Sequence, residues 1–116
     1  MKKVEPIRLT NAEDGKEYVL EFNKATVEMA EKAGFTLNLI TEGKLVSGYS
    51  ELFYFSFMKN HRYMKKADTD RILFEELGGM PDAMGARLVE LFAEPYNALV
   101  ESEDKSGKNS KWSVSL

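Results

Sequence analysis

The sequence predicts an α+β fold that is mostly α: an N-terminal β-hairpin packed on a bundle of about four to five helices. Three observations carry this expectation. Two short alternating stretches flank an Asp-Gly turn near the N-terminus. Beyond them, apolar residues recur at three- and four-residue spacing between helix starts and glycine stops. Finally, the 116 residues are 43% hydrophobic and 30% charged, with no cysteine. That balance suits one ordinary core and excludes disulfide staples and thiolate chemistry. The expected organisation is a globular unit over 1–101, with the hairpin in 4–22 and helices in 24–101, followed by a flexible tail over 102–116.

The hairpin rests on Val4 to Thr10 and Glu17 to Phe22, where Ile7, Leu9, Tyr18, Leu20 and Phe22 alternate with charged or polar neighbours. Gly15 supplies the positive φ the turn needs, and Pro6, with no N–H to donate, belongs on a sheet edge. Asn23 is placed to cap a first helix over Lys24 to Ala33, which Gly34 stops. Phe35 to Glu42 alternates in part and fits either a strand or a short helix ended by Gly43, with the helix preferred. Leu45 to Asn60 is strand-like in its aromatic content, yet Leu45, Tyr49, Leu52, Phe53, Ser56 and Phe57 share a helical face. Tyr54, Phe55 and Met58 widen that stripe, so this helix is expected to be central and buried.

Asp68 is read as the N-cap of a helix over Thr69 to Leu77, with Ile72, Leu73 and Leu77 facing inward and Gly78-Gly79 as its stop. Pro81 suits the first turn of a final helix carrying Met84, Leu88, Leu91, Phe92 and Leu99, and Pro95 is expected to kink or break it. In the tail, Trp112, Val114 and Leu116 alternate with polar residues, a pattern able to pair as a strand.

Little here asks for catalysis. His61 is the one histidine, and no nucleophile elbow accompanies it. Its expected place is a helix end, where a protonated ring would complement the dipole. One histidine among carboxylates makes no transition-metal set, and Asp68 with Asp70 lacks the glycine and closing glutamate of a calcium loop. The glycine pairs match no phosphate-binding fingerprint. The reading is therefore no catalytic, metal or cofactor residues. No apolar run is long enough to cross a membrane, and the N-terminal residues lack the apolar core of a signal peptide, so the expected place is the cytoplasm.

Two features remain. Lys59, Arg62, Lys65 and Lys66 lie in an acid-free window over 59–66, leaving 12 basic against 19 acidic residues elsewhere, a balance of −7. With Tyr63 beside them, these cations are the ingredients of single-strand nucleic-acid binding. The pI near 5.3 weighs against that function. The second feature is a surplus of six Met and twelve Phe and Tyr side chains. Tyr54, Phe55 and Met58 on the aromatic helix, with Met84, Leu88, Leu91 and Phe92 on the last one, are the candidate partner-binding residues; all seven positions also fit a core.

This order of elements carries the strings Phe22-Asn23, Glu28 to Gly34, Leu52-Phe53-Tyr54-Phe55-Ser56-Phe57, Lys59-Asn60-His61 and Ile72 to Gly79. Over about residues 4 to 100 it resembles the tail assembly chaperones of long-tailed phages with non-contractile tails and of related Gram-positive prophages. The resemblance implies a non-enzymatic protein that coats the tape measure protein in the host cytoplasm. It also implies help for tail-tube subunits to assemble around that protein, and absence from the finished particle. Self-association, and association with a longer frameshifted form, belong to the same expectation. The alternative is a small interaction module using the window 59–66 on nucleic acid.

Overall fold

Strands β1 (Ile7–Thr10) and β2 (Glu17–Leu20) pair antiparallel in the computed structural model, which describes residues 4–109, with side chains described as far as Tyr96. Ile7 stands opposite Leu20 and Leu9 opposite Tyr18, which turns one face of the hairpin toward the helices. Gly15 takes φ 75° in the turn, where a side chain would be strained. β1 begins immediately after Pro6, at an edge of the two-stranded sheet, as expected.

Helix α1 (Lys24–Lys32) starts in a reciprocal cap: Thr26 N–H donates to Asn23 Oδ1 and Asn23 N–H donates to Thr26 Oγ1, both at 2.9 Å. The short α2 (Asn38–Thr41) leads through Gly43 into α3 (Leu45–Ser56), the central helix. α3 is shorter than the sequence suggests, because Phe57 and Met58 leave it in a tight turn while staying buried. α2 lies close on α3: a Cβ on Gly48 would stand 2.8 Å from Ile40 Cγ1.

The next helix differs from the sequence reading in two ways. α4 (Lys66–Asp70) begins three residues early, and Asp68 sits inside its first turn, where its carboxylate accepts from Lys65 N–H at 3.1 Å. From Arg71 to Glu76 the chain then widens into a π-helix, with Leu77 N–H reaching Ile72 C=O five residues back. Leu77 is the C-cap of this segment, where the chain leaves the helix toward Gly78 and Gly79. Ile72 and Leu73 are buried as expected, but Leu77 is 38% exposed.

Helix α5 (Asp82–Asn109) passes through Pro95 without a break. Leu91 and Phe92 are fixed in the core, and Glu94 accepts the Val4 N–H at 2.8 Å, so packing on this stretch offsets the lost bond. The helix also continues past Leu99 through Asn109, into the stretch expected to be a flexible tail; once nucleated, each further residue adds a hydrogen bond. The remaining expectation for the tail, including the Trp112 alternation, lies outside the described residues.

Phe22, Phe35 and Phe92 meet edge to face at 5.2 and 5.1 Å, tying the hairpin end, the connection after α1 and helix α5 together. Phe53, Phe57 and Tyr18 continue that packing beneath β2.

Candidate functional site

The partner-binding set drawn from the sequence is corrected by this core. Phe55, Met58, Leu88, Leu91 and Phe92 are buried, and Tyr54 and Met84 are half-buried against it. The physical reason is the width of α3's apolar surface, which is contacted by α1, α2, α4 and α5 and so leaves few apolar residues over for a partner. Five of the seven hold the fold closed.

The basic window also has structural work. Val19 lies in the register where its N–H and C=O point away from β1, along the outer edge of β2. His61 Nε2 accepts the Val19 N–H at 2.9 Å, and Asn60 Nδ2 donates to the Val19 C=O at 3.1 Å. Glu21 N–H, two residues on, donates to the Ser56 C=O at 3.1 Å. The loop after α3 thus seals one edge of the sheet. The His61 ring is thus engaged by a main-chain donor of the sheet edge, forty-two residues earlier in the chain. The His61 ring packs on Tyr18 at 5.2 Å.

Two of the four cations are neutralised in the fold. Lys59 pairs with Glu21 at 3.1 Å and Lys66 with Glu51 at 3.0 Å. Arg62 and Lys65 are exposed and make no ion pair among the described residues, and Tyr63 is exposed between them.

What sequence reasoning missed is a groove of about 700 Å³ between the hairpin tip and the π-helical segment. Leu9, Tyr18, Ile72 and Leu77 are large apolar residues of its lining, which also includes Glu13, Asp14, Lys16, Arg71 and Glu76. Arg71 Nε donates to Glu76 Oε2 at 3.1 Å, and a second guanidinium nitrogen lies 3.6 Å from Asp68. The five-residue spacing of Arg71 and Glu76 meets on a π-helix and would diverge on an α-helix. The Glu76 hydrogen bond, with the Glu76, Asp68 and Glu75 charges, holds the guanidinium above its ordinary pKa. Glu13, Asp14 and Lys16 make no ion pair among the described residues, so the unmatched charge at the rim is two carboxylates against one ammonium, a net −1. Phe74, 42% exposed, lies three residues before Leu77 on the same segment.

A family profile described as a domain of unknown function, DUF5055, matches residues 1–116. The chain belongs to that family. No curated protein and no solved structure matches it. For this DUF5055 protein, the groove and the exposed residues beside it are the surface on which a function has to be argued.

Proposed function

We propose that this DUF5055 protein is a tail assembly chaperone of a phage or prophage, a non-enzymatic protein that binds the tape measure protein and keeps it soluble. It works in the host cytoplasm, helps tail-tube subunits assemble around its client, and leaves before the particle is complete. The reading is supported by the sequence resemblance over residues 4 to 100. The observation that carries it is a filled core with large apolar side chains left outside: Leu77 in the groove lining, Phe74 exposed on the same π-helical segment, and Leu45 and Val46 at the start of α3. An amphipathic helix of the client would cover the exposed Leu77 and Phe74 on the π-helical segment or Leu45 and Val46 on α3, displacing whatever else occupies the groove when it binds at Leu77.

The test is co-expression with the tape measure protein of the same genome. The expected result is a soluble complex, weakened at least about tenfold by Phe74→Asp with Leu77→Asp while the folded spectrum is kept. A tape measure protein that stays insoluble, with nothing co-purifying, overturns the reading. Arg62, Lys65 and Tyr63 favour a second reading, binding of single-stranded nucleic acid, which predicts affinity that falls steeply with salt and is lost in Arg62→Gln with Lys65→Gln.

A further inference from the structure

The groove at the hairpin tip is lined by the apolar Leu9, Ile72 and Leu77 with a rim of net negative charge, Glu13 and Asp14 against Lys16, and the sequence contains a segment with features of both. Residues 105–116 carry Lys105, Lys108 and Lys111 with no acid, and end in the alternation Trp112, Val114, Leu116 with serines between. We propose that Lys111–Leu116 of a second copy of this chain seats in the groove. Trp112 and Val114 lie over Leu9, Ile72 and Leu77, and Lys111 faces Glu13 and Asp14. Thr10, which lines the groove, turns its N–H and C=O away from β2 and gives them no partner among the described residues, so an extended segment finds main-chain hydrogen bonds there as well.

Geometry selects a second copy over the chain's own tail. Val4 contacts Glu94 and Glu5 contacts Arg87, seven residues earlier on α5, so the N-terminal chain runs toward the start of that helix. The groove lies at the same end, since Leu77 precedes Asp82 by only five residues. Asn109 is at the other end, about 40 Å along a helix of this length. Trp112 stands three residues beyond it, a reach of about 10 Å at full extension. Two copies with their α5 helices antiparallel place each tail at the other's groove, which closes the contact at a dimer.

Trp112 is the only tryptophan, so its fluorescence reports its own burial. The full chain is diluted from tens of micromolar to nanomolar, with emission and sedimentation followed together. The expected result is blue-shifted emission and a dimer at high concentration, both lost on dilution. Leu77→Asp raises the dissociation constant at least tenfold. Trp112→Ala, read by sedimentation alone, does the same and does not touch the described fold. Red-shifted emission from a monomer at every concentration overturns the proposal, as does a blue shift in a monomer that ignores dilution, or a dimer that persists in Trp112→Ala. The identity of the client is a separate matter: a tape measure protein that fails to co-purify leaves this result standing.

Discussion

Replacing His61 tests whether the loop after α3 holds the hairpin in place. The ring accepts the Val19 N–H at 2.9 Å and packs edge-on against Tyr18 at 5.2 Å. One hydrogen bond to a neutral acceptor contributes about 1 kcal/mol net, and an aromatic pair about 0.5–1.5 kcal/mol. His61→Ala removes both and should cost about 2 kcal/mol; His61→Phe keeps the ring contact and should cost about 1 kcal/mol. At this chain length 1 kcal/mol lowers the melting midpoint by roughly 4 °C. Urea unfolding with an unchanged slope gives the free energies, and hydrogen exchange localises them. A two-stranded hairpin is marginal alone, so the Val19 amide should exchange faster in both variants before global unfolding. A wild-type midpoint for His61→Phe, together with unchanged exchange at Val19, would refute the latch.

Other expectations follow from the same geometry. Gly48→Ala should lower stability by about 1 kcal/mol although alanine favours helices, because its Cβ would meet Ile40; adding Ile40→Ala should recover most of the loss in a double-mutant cycle. Asn23→Ala should cost about 1 kcal/mol through the α1 cap, measured by thermal melting. Phe92→Ala, at the meeting of three rings, should cost about 3–5 kcal/mol and leave a chain that binds a hydrophobic dye. Arg62→Gln with Lys65→Gln should leave the melting midpoint within about 1 °C, since both side chains are exposed and unpaired among the described residues.

The fold was legible where local chemistry decides it. The Asp-Gly turn, the Asn23 cap and the glycine stops announce their elements regardless of what packs on them, and the breadth of apolar residues on α3 correctly implies a central helix. The π-helix was not legible: nothing in Arg71 to Glu76 distinguishes a five-residue from a four-residue repeat, and the difference decides that Arg71 meets Glu76. The seven candidate contact residues show the same limit from the other side. Periodicity identifies an apolar face without saying whether the chain itself will cover it, and here α1, α2, α4 and α5 together cover α3. His61 and Asn60 were read as part of a charged window because their partner, the outer edge of β2, is more than forty residues away in sequence.

The bonds that secure the hairpin also set an order of events during synthesis. Val19 waits for His61, forty-two residues later, and Val4 waits for Glu94, ninety residues later. The first strands to leave the ribosome are thus the last to be locked. At about 5–20 residues per second, Val4 remains untied for several seconds after it is made. Until Phe57 and His61 have been made, Tyr18 lacks its ring partners and the hairpin's apolar face is without that cover. A chain stalled before Glu94 would carry an unfastened hairpin, so the length of the nascent chain, more than its local sequence, governs when this protein stops being sticky.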